Sequence, residues 1–181
     1  TLNPTGSGAV TFAEGNLQAS KSSGTTWLNA ISGFGVSSGK WYAELKVNSV
    51  GTNGLNMGYI NLDKSNLQNL NVAPGEDAFS AGLYSNGGPI LYATGTTFAT
   101  VGSPIATDIM QFAMDIDNGF LYWGKNGTWL NSGVPTSGAT GTGGLALSNL
   151  SSGGTYTLAV ACRNGGDVSY NFGNGYFGTT E

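Results

Sequence analysis

The segment Thr107–Gly133, TDIMQFAMDIDNGFLYWGKNGTWLNSG, constrains the fold of this chain more than any other. It divides into three short apolar-rich runs separated by Asp117-Asn118-Gly119 and Asn126-Gly127. An Asn-Gly pair between apolar runs is a strong hairpin signal, because both residues tolerate the positive φ that a type I′ turn requires. The spacing therefore predicts three antiparallel strands joined by two tight turns.

The rest of the chain follows the same grammar. Runs of four to eight strand-forming residues alternate with Gly, Ser, Asn and Asp clusters, and helical periodicity is nearly absent, which is the signature of a sandwich or barrel. Val10–Phe12 and Asn16–Ala19 read as a hairpin turned at Glu14-Gly15, and Trp27–Phe34 as a further strand. In Trp41–Val47, Trp41, Ala43, Leu45 and Val47 alternate with Tyr42, Glu44 and Lys46, so the first set is expected to face the core. Leu55–Asn61 supplies another strand. Ala78–Tyr84 and Ile90–Ala93 flank Ser85-Asn86-Gly87-Gly88, and Tyr156–Arg163 and Val168–Phe172 flank Asn164-Gly165-Gly166-Asp167. Asp63–Leu67 fits either a helical turn or a loop, and Asn131–Gly144 reads as a long exposed loop. Trp41, Phe112, Trp123 and Phe172 are expected in the core. With no fixed-period repeat and no linker, residues 1–181 are expected to form a single domain.

Charge is the compositional anomaly. Only 9% of residues are charged, against roughly 25% in ordinary soluble domains, so the polar surface must consist of Asn, Ser, Thr and Gly. Six basic against ten acidic residues give −4 with no basic run, which argues against a nucleic-acid partner. No apolar stretch approaches the ~20 residues needed to cross a bilayer, so no membrane insertion is expected. With no initiating Met, basic n-region or apolar h-region at Thr1, the chain is expected to be either processed or, as the preferred reading, a piece of a longer protein.

Catalytic chemistry finds little footing. The chain has no histidine, which removes the usual neutral-pH base and metal ligand. Cys162 sits in the apolar run Leu158–Cys162 and reads as a buried, inert thiol. Asp115 and Asp117 would point the same way along a strand, but Asp117 is better explained as a cap on local backbone N–H groups of its turn. Glu76-Asp77, Asp63 and Asp108 match no calcium-loop spacing. No catalytic residue, metal site or cofactor is expected. The remaining candidates are aromatic or amide-bearing residues near turns. Trp129 follows the Asn126-Gly127 turn, while Tyr84, Asn86, Arg163 and Asn164 stand at hairpin ends. Flat aromatic faces flanked by neutral amides and hydroxyls suit sugars, and the Arg163 guanidinium could grip a carboxylate.

Four segments resemble the SPRY family in order: SSGKWYAELKV (Ser37–Val47), DAFSAGLYSNGGPILY (Asp77–Tyr92), DIMQFAMDIDNGFLYWGKNG (Asp108–Gly127) and VSYNFGNGYF (Val168–Phe177). NPTGSGAVTFAEGNLQAS (Asn3–Ser20) and FGVSSGKWY (Phe34–Tyr42) resemble the versions found in bacteriophage and other viral surface proteins. One departure is Ala43, where the family commonly carries an aromatic. The resemblance implies an all-β, bent antiparallel sandwich of two sheets with a concanavalin-like jelly-roll architecture, and recognition loops at one edge.

The implied function is non-catalytic recognition of a host cell-surface glycan or receptor protein, by a tail-fibre or surface protein at the virion surface. Affinity would come from a homotrimer or many-copy assembly alongside other virion proteins. The alternatives are a structural decoration module of the virion and an adapter that binds a protein or peptide.

Overall fold

A computed structural model describes residues 1–3, 10–65, 71–173, 175 and 177. The strands are β1 (Leu2–Asn3), β2 (Thr11–Ala13), β3 (Gln18–Lys21), β4 (Leu28–Ser32) and β5 (Lys40–Val50). They continue with β6 (Leu55–Asn61), β7 (Ser80–Tyr84), β8 (Pro89–Tyr92), β9 (Thr96–Thr100) and β10 (Ile109–Asp115). The last are β11 (Phe120–Lys125), β12 (Thr128–Trp129), β13 (Leu145–Ala146), β14 (Tyr156–Cys162) and β15 (Gly166–Asn171). One sheet has the order β1-β4-β14-β6-β7-β8-β9; the other runs β12-β11-β10-β5-β15-β3-β2, with β13 also on β11. All described pairings are antiparallel. The all-β two-sheet sandwich expected from the sequence is the observed architecture.

Both predicted turns form, but only the second does so for the predicted reason: at Asn118-Gly119 the glycine alone has positive φ, 80°. Asn126 and Gly127 both have positive φ, 50° and 82°, as a type I′ turn demands. Their hairpin is also pinned by side chains: Ile109 N donates to Asn126 Oδ1 (2.8 Å), Asn126 Nδ2 to Asp108 (2.7 Å), and Gly127 N to Gln111 Oε1 (2.9 Å). Between the sheets, Leu45, Val47, Leu55, Met57, Phe112, Leu158 and Val160 form one continuous core. Tyr59 crosses it, packing edge-on to Trp123 at 4.8 Å and donating its hydroxyl to the Ala113 carbonyl (3.2 Å). A buried hydroxyl held this way avoids the cost of an unmet donor.

Three expectations need correction. Ala43, Leu45 and Val47 are buried, but Trp41 is 45% exposed. It stands at the open end of the sandwich, where its ring meets Phe34 at 6.4 Å and its Nε1 donates to Ser38 O (2.8 Å), so alternation placed it on the right side of β5 but beyond the reach of the opposing sheet. Phe172 is only half-buried. Asp117 does not cap its own turn: its Oδ1 accepts from Gly39 N (2.7 Å) across the sheet, while Asp115 accepts from Asn118 N (3.1 Å) within the turn.

The Asn131–Gly144 segment is largely exposed but also serves as a cover. It contains two 3-10 turns, the second at Gly138–Thr140, and Val134 N donates to Thr142 O (2.9 Å). Gly141 (φ +60°) and Gly144 lie so close to Phe120 and Tyr122 that a Cβ would meet those rings at 2.2 Å and 2.7 Å. The loop thereby buries Tyr122 on the outer face of β11. Of the Asp63–Leu67 reading, Asn66 and Leu67 lie outside the described residues.

Candidate functional site

The two ends of the sandwich differ. At the end where β5 begins and β10 finishes, a groove of about 640 Å³ opens between loops from both sheets. One wall is the β10–β11 turn, Ile116–Gly119, with Phe120. The other is the segment Ser152–Tyr156, with Asp63 beside it, and Leu147 and Ser148 line the groove between them.

Each wall is held by buried polar side chains. In the first, the Asp115 carboxylate is 2% exposed, pairs with Lys40, and accepts both the backbone and the side-chain amide of Asn118 (3.1 and 2.9 Å). Burial alone would raise the Asp115 pKa, but the hydrogen bonds from Lys40 and Asn118 outweigh it and hold the carboxyl below its ordinary value. In the second wall, Asn61 Nδ2 donates to Ser151 O (3.2 Å) and Gly153 O (3.0 Å), and Tyr156 Oη donates to Ser151 O (3.1 Å). Asp63 Oδ2 accepts from Thr155 N (2.9 Å). Ser151 itself has φ 62° and ψ 99°, outside the regular regions, a conformation that persists only when its surroundings fix it.

The groove presents apolar surface from Ile116, Phe120, Leu147 and Tyr156 beneath hydroxyl and amide groups. Ser37, Ser148 and Ser152 line it without side-chain hydrogen bonds to other described residues. Among the described residues, Asp63 is the one charged group lining it. Such a site can bind by apolar contact and neutral hydrogen bonds.

The five residues singled out from the sequence line two other surfaces. Tyr84, Arg163 and Asn164 meet at the opposite end. The Arg163 guanidinium lies 3.9 Å above the centre of the Trp27 ring, and its Nη2 donates to the Tyr84 hydroxyl and its Nε to Asn53 O (3.3 Å). Trp27 and Tyr84 pack edge to face at 5.7 Å. Asn164 N donates to Gly24 O (3.0 Å), and its carbonyl accepts from Thr52 N (2.9 Å). Asn86 is exposed in the turn that follows Tyr84.

Trp129 lies on the outer face of the second sheet. Its indole rests over Gly124, where a Cβ would come within 3.1 Å of the ring, and its neighbour Tyr42 stands nearly perpendicular at 6.3 Å. Tyr42 is 53% exposed, and its hydroxyl donates to Glu44 (2.7 Å). Burial and the Glu44 carboxylate push its pKa up to about 12, so the donor stays protonated. Sequence reasoning missed the groove because its lining comes from residues as far apart as Ser37 and Tyr156. The one local trace was the Ser/Gly run Ser151–Gly154.

The acidic residues are dispersed. Glu76 accepts from Ala73 N (2.9 Å), Asp77 from Phe79 N (3.1 Å) and Asp108 from Ile105 N (2.9 Å). Among the described residues no three Asp, Glu or Cys side chains come close enough to hold a metal ion. Cys162 is fully buried, and that burial, with Asp167, pushes its thiol up to about 12, so it carries no thiolate at neutral pH.

No family model matches the chain, and no curated protein is similar to it in sequence. Solved structures are similar in fold. The SPRY domain of human HERC1 superposes with a TM-score of 0.72 at 13% identity, over 97% of this chain and 100% of that one. The fold is that of SPRY domains. The TRIM65 PSpry domain gives a TM-score of 0.69 at 11% identity, covering 94% of this chain and 90% of that one. A further human SPRY domain gives 0.62 at 13% identity, covering 92% and 97%. At these identities the likeness carries the architecture and leaves the ligand to the site itself.

Proposed function

We propose that the chain is a non-catalytic recognition domain and that its ligand, a host-surface glycan or receptor protein, sits in the groove between Ile116–Phe120 and Ser152–Tyr156. The observation that carries this reading is the character of the groove: loops fixed by buried polar groups present serine hydroxyls with no side-chain hydrogen bond to other described residues, above an apolar surface. Preorganised neutral donors and acceptors with an apolar contact surface are what a ligand rich in hydroxyls and amides requires. The resemblance of Asn3–Ser20 and Phe34–Tyr42 to phage surface proteins supports placing this recognition at the virion surface, outside the host cell. There, weak contacts would be multiplied by a homotrimer or many-copy array beside other virion proteins.

A second reading places the contact at Trp129, and the perpendicular Tyr42–Trp129 pair on an open sheet face favours it. Aromatic faces of this kind bind sugar rings by stacking.

The test uses the purified, fluorescently labelled chain fused to a trimerising coiled coil, applied to a panel of bacterial cells and a glycan array. Saturable binding competed by free sugar is expected. Ser148 is exposed on the groove, so Ser148→Trp should abolish binding while Trp129→Ala leaves it intact. The reverse pattern would move the site to the sheet face. No binding by a folded trimer would assign the domain to virion structure.

A further inference from the structure

Five Asn-Gly pairs lie wholly within the described residues: Asn53-Gly54, Asn86-Gly87, Asn118-Gly119, Asn126-Gly127 and Asn164-Gly165. Chemically they are equivalent. A glycine offers the least hindrance to attack by its own backbone nitrogen on the amide carbon of the preceding asparagine, so each is a candidate for spontaneous cyclisation. The structure separates them.

In four pairs the attacking nitrogen is occupied. Gly54 N donates to Val50 O (2.8 Å), Gly119 N to Asp115 O (2.8 Å), Gly127 N to Gln111 Oε1 (2.9 Å) and Gly165 N to Lys21 O (2.8 Å). Three of the asparagine side chains are hydrogen-bonded as well, Asn164 by donating from Nδ2 to Thr52 O (3.5 Å). Asn118 Nδ2 donates to both Asp115 oxygens, and Asn126 donates to Asp108 while accepting from Ile109. The fifth pair has neither restraint. Asn86 and Gly87 are both exposed, neither the Asn86 amide nor Gly87 N is hydrogen-bonded to another described residue, and the nearest atom to a Cβ placed on Gly87 is Pro89 Cδ at 3.9 Å.

We propose that Asn86 is a self-modification site at which the folded protein deamidates selectively. The Gly87 nitrogen loses its proton to water and bonds to Asn86 Cγ. The Cγ–Nδ2 bond breaks, and ammonia leaves with a proton from solvent. Water then opens the resulting succinimide at either carbonyl, leaving an ordinary aspartate at this position or its β-linked isomer. Water is the only co-reactant, and no electrons are transferred.

The product matters because of where it forms. A new carboxylate takes the formal charge from −4 to −5, in a turn two residues from Tyr84, whose hydroxyl holds Arg163. The β-linked isomer also lengthens the backbone by one carbon inside a tight turn. Gly88 there is packed so closely against Gly102 that a Cβ would lie 2.2 Å from that backbone, so the hairpin must shift. Asn86 is thus a clock on the surface that carries Tyr84 and Arg163.

The test incubates the purified chain at mildly alkaline pH and follows every Asn-Gly pair by site-resolved peptide mapping, with isoaspartyl methyltransferase labelling to detect the β-linked product. Asn86 should convert at least about fivefold faster than the other four pairs, because releasing a hydrogen-bonded N–H costs on the order of 1 kcal/mol. In urea the five rates should converge. A different pair converting as fast as Asn86 in the folded chain would overturn the proposal. So would an Asn86 that is inert when folded yet reactive in urea. Asn86→Gln serves as a folded control that should remove the early product.

Discussion

The two ends of this sandwich use polar groups in opposite ways. At the end carrying Arg163, the guanidinium is stacked on Trp27 and bonded to Tyr84 and Asn53, and the backbone packs so tightly that Gly54 has no room for a Cβ, which would fall 2.1 Å from Arg163 O. At the other end the ionic groups Lys40 and Asp115 brace the wall of a groove in whose lining, among the described residues, Asp63 is the one charged group. Charge here holds loops in place, and the groups left for a partner are serines and an open apolar surface. The lesson is that a cation at a hairpin end can belong to the fold, and that its hydrogen-bond partners decide the matter.

This contrast predicts that the closed end fails by unfolding and the open end by losing its ligand. The largest effect should come from Gly54→Ala, which inserts a methyl group into backbone; a loss of 3 kcal/mol or more, roughly, is expected in urea titration. A near-neutral result would show that the closed end is not tightly packed. Arg163→Ala should cost about 2 kcal/mol, from the ring stack and the hydrogen bonds to Tyr84 and Asn53. If it instead abolished cell binding with the melting temperature unchanged, Arg163 would belong to a ligand site.

Asp115 gives an acid-dependent prediction at the open end. Its folded pKa lies below the ordinary 3.8, so its contribution is fully present above that pH and is lost as pH falls through the lower, folded value. Melting temperature should therefore drop below about pH 4, and Asp115→Asn should flatten that part of the curve; an unaltered acid limb would remove Asp115 from the account. The smallest stability effect belongs to Ser148→Trp, within about 0.5 kcal/mol of wild type because the residue is exposed. A marked loss would mean the groove is part of the packing.

The strands and turns were legible because their signals are local. Asn126-Gly127 announces its turn by chemistry that needs only two residues, and Ala43, Leu45 and Val47 announce their face by period-two alternation. Trp41 broke that reading because alternation gives the side of a strand and not how far the opposing sheet extends. Asp117 misled because its partner, Gly39, is distant in sequence. The groove was illegible for the same reason: Asn61, Asp63 and Tyr156 acquire their roles only once β6 and β14 are paired. The exposed Tyr42 beside Trp129 follows from alternation, but its pairing with the indole requires the register Gly124↔Trp129.

The outer strands of both sheets are short. β1, β12 and β13 have two residues each, β2 has three and β9 five. A protein with few charges cannot rely on electrostatic repulsion to keep neighbouring copies apart. Short edges remove the other hazard, because they offer too few free backbone groups to template pairing with a second molecule. Strand pairing between copies is thereby limited by the backbone itself, a restraint that ionic strength does little to alter.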